Sequence, residues 1–251
     1  MTFKVYIPAR MGATRLPGKP LLEIAGKTLI QHVWERAKAS GAAEVVVATD
    51  DMRILEVVEG FGGIACMTAA THQSGTDRIT EAARLRNEPL DTVVVNVQGD
   101  EPGMPAAVIR QVAEVLRLHP GVDIASVCEA FTAEADWRDP NQVKVLRDVH
   151  DRALYFSRAA VPFPRDAGAW APGRDYRRHV GIYAYTVRYL NHFVTLPPHS
   201  LETTERLEQL RALAHGAHLR VEDACESCGV GIDTPADLER FAAAMAAHSA
   251  G

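Results

Sequence analysis

The stretch Asp91-Thr92-Val93-Val94-Val95-Asn96-Val97-Gln98-Gly99-Asp100-Glu101-Pro102 decides the fold class. Its first part, residues 91–97, is a short valine-rich run that predicts a buried strand. An acid follows directly, with Gly99 allowing an unusual backbone angle before it. A carboxylate at the carboxyl end of a buried strand points at the rim of a sheet, where α/β proteins bind ligands.

The same alternation of short strand and helix continues on both sides. Residues 4–8 form an apolar run ending in Pro8. Residues 28–40 have helical spacing, with Leu29, Ile30, Val33, Trp34 and Ala37 on one face and a stop at Gly41. Residues 44–49 and 63–67 predict strands, and Asp51 caps a short helix to about Glu59. Ser74-Gly75-Thr76-Asp77 has the form of a capping box and opens a helix to Arg86. A helix is expected over 105–119, then a strand over 124–129. After a break the rhythm returns: a strand over 179–186, a helix over 203–215 and a strand over 219–222. A C-terminal helix is then capped by Thr234, with Pro235 at its first position and Asp237 in its first turn. Such order implies βαβ units and a mainly parallel sheet. The break, from about residue 130 to 178, holds Pro140, Pro162, Pro164 and Pro172 and two strand-like pieces, 143–147 and 153–157. It predicts an inserted lobe with antiparallel strands within a single domain spanning 1–251.

Composition narrows the function classes. The 251 residues carry a net charge of −5 and no basic run longer than two, which argues against nucleic acid as a partner. No apolar stretch approaches the roughly 20 residues of a membrane span. The N-terminus resembles a first strand, not a signal peptide, so a cytoplasmic location is expected. The four cysteines, Cys66, Cys128, Cys225 and Cys228, are then expected as free thiols. Cys225-x-x-Cys228 follows His215 and His218, so a zinc site stands beside a plain structural reading.

Three segments at strand ends would meet at one rim. The first, residues 8–20, is glycine-containing and carries Arg10, Arg15 and Lys19, a composition suited to wrapping a polyphosphate. It is not a Walker loop, because five residues separate Gly12 from Gly18 and Pro20 stands where a metal-binding hydroxyl belongs. That spacing argues against a P-loop kinase or phosphatase. The second, residues 72–78, is a helix start with small residues that favours an anion or a polar base edge. The third contains Asp100, which could hold Mg²⁺ together with a second acid; Asp233, just before a helix start, offers one. Two acids at the rim also argue against a non-catalytic nucleotide sensor. His179 and Tyr183 share strand parity and face one side. On spacing alone His179 is equally a buried hydrogen-bonded histidine, and Glu208 with Arg211 equally a surface ion pair.

These residues carry a resemblance. Ile7-Pro8-Ala9-Arg10 with residues 14–21, then 74–78 and 96–102, resembles the opening half of the 3-deoxy-D-manno-octulosonate (Kdo) cytidylyltransferases, or CMP-Kdo synthetases. Tyr155-Phe156-Ser157-Arg158, His179-Val180-Gly181-Ile182-Tyr183, residues 207–211 and Gly231-Ile232-Asp233-Thr234 continue the match in order, from about residue 3 to 240. The resemblance implies a three-layer, Rossmann-like nucleotidyltransferase fold with a mixed, mainly parallel sheet, and a small dimerisation lobe from the insert, hence a homodimer. It implies CTP and Kdo as substrates, Mg²⁺ as cofactor and a place in lipopolysaccharide biosynthesis. Residue by residue, it implies that Pro8, Ala9, Arg10, Thr14, Arg15, Lys19, Ser74, Arg78 and Gln98 bind CTP. Gln98, Arg158, His179, Tyr183, Glu208 and Gln209 would line the sugar site. Asp100 and Asp233 would hold the metal, and Lys19, Arg15 and Asp100 would act in catalysis. Ala13 stands where the family usually has a serine, and Thr71 where an acid is expected. Both departures concern details of CTP binding. Another acidic sugar, 8-amino-Kdo or a sialic acid, would use the same loops with a different sugar pocket.

Overall fold

The valine strand lies inside a mixed sheet with helices on both faces, in a computed structural model that describes residues 2–12, 16–166, 168, 170–172, 175–229 and 231–249. The strands are β1 (Phe3–Ala9), β2 (Glu23–Ile24), β3 (Lys27–Thr28), β4 (Glu44–Thr49), β5 (Ile64–Met67) and β6 (Val93–Asn96). They continue with β7 (Ile124–Ala130), β8 (Lys144–Arg147), β9 (Ala153–Ser157), β10 (Arg177–Thr186) and β11 (Leu219–Asp223). The helices are α1 (Leu29–Ala39), α2 (Met52–Gly60), α3 (Gly75–Leu85), α4 (Ala106–Leu118) and α5 (Glu134–Arg138). The remaining four are α6 (Val187–Phe193), α7 (Ser200–Glu205), α8 (Gln209–Ala214) and α9 (Pro235–Ser249).

The main sheet runs β11-β7-β10-β6-β1-β4-β5. Neighbouring pairs are parallel except at β10, which is antiparallel to both β6 and β7. Alternate residues of each strand feed two cores, as the period of a strand requires. On one face Val5, Ile7, Val45, Val47, Val93 and Val95 pack with Ile30, Val33, Ile54, Val108 and Val112 of α1, α2 and α4. On the other, Tyr6, Val46, Ala48 and Val94 pack with Ile79, Ala82, Leu190 and Leu210 of α3, α6 and α8. This gives three layers, with both faces of the valine strand dry.

Between Val180 and Ala184, β10 advances four residues while its partner β7 goes only from Val127 to Ala125. Two extra residues keep the side-chain parity, and the rings of His179 and Tyr183 still meet, with centroids 5.4 Å apart. The segment between β7 and β10 holds α5, β8 and β9. Its two strands pair with each other and extend the first part of β10. Phe131, Trp137 and Tyr176 form a small apolar cluster there, with the Trp137 indole donating to Val161 O at 3.0 Å.

Two local expectations are corrected. The helix expected over 203–215 is two helices, broken at Arg206, whose φ of 55° is left-handed. His199 and Glu202 close a capping box that starts α7 earlier, and the buried Leu207 begins the turn into α8. Gly99, expected to need an unusual backbone angle, is required by proximity instead: a Cβ there would stand 2.8 Å from the Pro8 carbonyl oxygen.

Candidate active site

The carboxyl ends of β1 and β6 and the start of α3 converge, as expected from their sequence positions. Pro8, Ala9, Arg10, Lys19, Ser74, Arg78, Gln98, Asp100 and Asp233 line a cleft of about 380 Å³, joined by Gly12, Leu16, Pro20, His72, Gln73, Gly75 and Gly99. Thr14 and Arg15 lie outside the described residues.

Lys19 is the centre of the charge arrangement. It opens a short 3-10 turn, Lys19–Leu21, after Gly18 at φ 71°, where a residue with a Cβ would be strained. This turn buries the lysine stem, leaving the residue 7% exposed. Its ammonium reaches Asp100 Oδ2 at 2.7 Å and Asp233 Oδ1 at 3.1 Å. Two acids 133 positions apart in sequence therefore flank one cation. Ile232 N donates to Asp100 O at 2.9 Å, which ties the two acid-bearing segments together.

Two carboxylates close enough to share a cation, both partly open to solvent, suit a hard ion that takes its remaining ligands from water and phosphate oxygens. Next to them stands the half-buried Glu101. Burial first, and the Asp100 charge second, push its pKa up to about 8. Nothing in the sequence marks Glu101 except its place beside Asp100 at a strand end.

α3 begins at the cleft. Ser74 Oγ accepts from the Asp77 amide at 3.1 Å, the forward half of the expected capping box. Arg78, one turn on and 3% exposed, is held by Asp50 Oδ2 at 2.6 Å and Thr68 Oγ1 at 2.7 Å. Its charge is thus largely matched by the protein, whereas Arg10 is exposed at the rim. His72 lines the cleft with Nε2 2.5 Å from Glu81 Oε2, a pair that no local sequence pattern marks.

The residues expected around the sugar, Gln98 apart, do not line this cleft; Glu208 adjoins it through α3, and His179 and Tyr183 meet each other on β10. Thr76, in the first turn of α3, donates to Glu208 Oε2 at 2.6 Å, and Glu208 Oε1 is buried without a hydrogen-bond partner. Burial raises the Glu208 pKa, against the pull of the Ser74 and Thr76 hydroxyls. Arg211 pairs with Glu202 at 2.6 Å rather than with Glu208, so the alternative surface pair does not form. His179 is 8% exposed, with Nε2 3.1 Å from Ser126 Oγ and its ring against Phe156. Burial, helped by Arg178, holds its pKa down at about 3, so the ring is neutral. Burial also raises the Tyr183 pKa, and Gln209 is buried at the start of α8. Arg158 spends its guanidinium on backbone carbonyls, with Glu205 O at 2.6 Å and Pro140 O at 3.0 Å.

The cysteines lie elsewhere. Cys225 is exposed, Cys228 is buried, and the His215 ring meets Pro197 O at 3.2 Å. Among the described residues no group of three or more His, Cys, Asp or Glu is arranged to hold a metal ion. Nor is any described helix long and apolar enough to cross a membrane.

Comparison with known proteins places this geometry. The cytidylyltransferase family profile matches residues 5–223. A 3-deoxy-manno-octulosonate cytidylyltransferase of Methylococcus capsulatus is 52% identical over 243 residues, covering 95% of both chains. The enzyme of the same name from Nitrosococcus oceani is 49% identical over 246 residues, covering 96% of this chain and 95% of its own. A solved structure of CMP:2-keto-3-deoxy-manno-octonic acid synthetase complexed with CTP superposes with a TM-score of 0.90 at 43% identity, covering 99% of this chain and 100% of that one. With the match running the length of the chain and through every rim segment, the chain belongs to the 3-deoxy-manno-octulosonate cytidylyltransferase family of nucleotidyltransferases.

Proposed function

We propose that the protein transfers the CMP part of CTP to Kdo, giving CMP-Kdo and pyrophosphate, in the cytoplasm and for lipopolysaccharide assembly. The observation that carries this reading is the Lys19 ammonium held between Asp100 and Asp233 in a cleft that also contains a helix N-terminus. Anions are favoured at such a terminus, and a triphosphate needs cations to match it. The relatives named above act on the same sugar, and a related structure holds CTP.

In this reaction the anomeric hydroxyl oxygen bonds to the α-phosphorus of CTP, and the α–β phosphate bond breaks to release pyrophosphate. Alignment and charge neutralisation carry most of the catalysis in such transfers. Pro8, Ala9, Arg10, Thr14, Arg15, Ser74, Arg78 and Gln98 would bind CTP; Arg15 and Lys19 would neutralise charge on the equatorial and leaving oxygens. Asp100 and Asp233 would hold Mg²⁺. When bound, that ion would lower the pKa of the sugar hydroxyl and offset the α-phosphate charge. Gln98, Arg158, neutral His179, Tyr183, Glu208 and Gln209 would orient the sugar acid; Thr76 ties Glu208 to the helix that begins at the cleft. The segment at about 130–178 would serve as a dimerisation lobe, a role its exposed Leu154 and Phe163 side chains support.

The test is pyrophosphate release from CTP and Mg²⁺, with Kdo, with sialic acid and with neither. Release only with Kdo is expected, with kcat falling by orders of magnitude in Asp100→Asn while CTP still binds. Release driven by sialic acid, or by no sugar, overturns the Kdo assignment of His179, Tyr183 and Glu208.

A further inference from the structure

Asp233 reaches the cleft at the end of a return loop whose described residues form no helix or strand. The chain leaves β11 at Asp223 and enters α9 at Pro235. Gly229 and Gly231 lie between, where flexible backbone makes ordering costly. Both glycines sit in close quarters: a Cβ on Gly231 would stand 3.0 Å from Glu101 Oε1, and one on Gly229 would stand 3.8 Å from Gly103 Cα. The loop therefore has to be held tightly against the Asp100 segment for Asp233 to meet Lys19.

Of the tethers along this loop, which begin with Ala224 N to Cys128 O and Cys225 N to Gln111 Oε1, two stand nearest Asp233. One is the bond from Ile232 N to Asp100 O, 2.9 Å, beside Asp233 itself. The other lies five residues earlier, at Cys228. Arg178 and Glu129 are cross-strand partners on β10 and β7, with side chains 19% and 18% exposed. They form an ion pair and together grip both main-chain groups of Cys228. Glu129 Oε1 accepts from Cys228 N at 2.6 Å, and Arg178 Nη2 donates to Cys228 O at 3.1 Å. A two-point grip on the two peptide groups flanking one residue fixes direction as well as position, and charged hydrogen bonds are the stronger kind.

We propose that Arg178 and Glu129 are positioning residues that clamp the return loop at Cys228 and thereby set Asp233 against Asp100 and Lys19. The clamp acts on the metal site through Asp233, while the Arg178 charge separately helps keep the His179 ring neutral; Glu129→Gln leaves that charge in place. This rests on the role given to Asp233 under the proposed function.

The experiment compares wild type, Arg178→Met, Glu129→Gln, Asp233→Asn and the Arg178→Met/Asp233→Asn double variant in kcat, KM for CTP and melting temperature. A calorimetric titration of Mg²⁺ into each enzyme with CTP present accompanies them. Each clamp variant is expected to lose about tenfold or more in kcat with KM for CTP nearly unchanged, and to need about tenfold more Mg²⁺ for half-saturation. In the Asp233→Asn background the Arg178→Met change should cost nothing further in kcat. A lower melting temperature with normal kcat and normal Mg²⁺ titration, or a full kcat penalty in the double variant, overturns the proposal. If Arg178→Met fails to fold, the isosteric Glu129→Gln decides by the same readouts. A wild type that takes up Mg²⁺ and CTP but ignores Kdo sinks the sugar assignment, while the calorimetric comparison still judges the clamp.

Discussion

Gly99→Ala probes how the rim holds Asp100. The added Cβ would stand 2.8 Å from Pro8 O, 3.7 Å from Ile7 Cγ2 and 3.8 Å from Ala9 Cα. An ordinary carbon–oxygen approach is about 3.3 Å or more, so the overlap is about 0.5 Å. The clashing atom belongs to backbone, and that backbone is pinned: β1 pairs with β4 through Pro8 and Ala9 and with β6 through Phe3 to Tyr6. The strain therefore falls on the Gln98–Asp100 turn. Forcing an extra carbon into packed structure costs about 1–3 kcal/mol. The adjoining Asp100 would move by a few tenths of an ångström away from Lys19, for a loss of about tenfold or more in kcat. Gly75→Ala is the control. Its Cβ meets the Pro8 ring at 3.0 Å, a side chain rather than a carbonyl, and it sits in the first turn of α3, where alanine is favoured over glycine by up to about 1 kcal/mol. Its stability should change by less than about 1 kcal/mol, the difference between these two opposed effects. Urea unfolding followed by tryptophan fluorescence, with pyrophosphate release on the same samples, measures both. Gly99→Ala within about 0.5 kcal/mol of the parent with unchanged kcat would refute the reasoning, because surface-like tolerance is incompatible with a pinned contact.

Two further outcomes are expected. His179 has a folded pKa of about 3, below its unfolded value, so between those values the unfolded chain binds more protons. Stability contributed by the neutral ring is full above about pH 6.5 and lost as pH falls toward 3, at up to about 1.4 kcal/mol per pH unit. The melting temperature of wild type should therefore drop more between pH 7 and pH 5 than that of His179→Gln; parallel profiles would contradict this. Arg206 is left-handed at φ 55°, where a side chain costs about 1 kcal/mol, so Arg206→Gly should hold or raise the melting temperature despite glycine's unfolded-state entropy. A clear drop would mean that contacts of the Arg206 side chain outweigh the backbone strain.

Much of this arrangement is determined within short stretches of sequence. The valine run of β6, the Ser74 cap and the Thr234–Pro235–Asp237 helix start each act through neighbours a few residues away, so their residue types suffice to define them. The three rim segments likewise converge from their chain positions alone, because strands of a parallel sheet end on the same side. What only the tertiary structure decided depends on partners distant in sequence. A run of apolar residues carries no direction, so nothing local shows that β10 opposes β6 and β7. Residues 203–215 keep helical spacing across Arg206; the break comes from the His199 box and the burial of Leu207. Asp50 claims the Arg78 charge, Glu202 takes Arg211 from Glu208, and Lys19 stands between two acids that meet only when the last loop returns to the first strand. Those pairings are long-range electrostatic choices among many carboxylates and cations, and packing alone selects which of them come within reach.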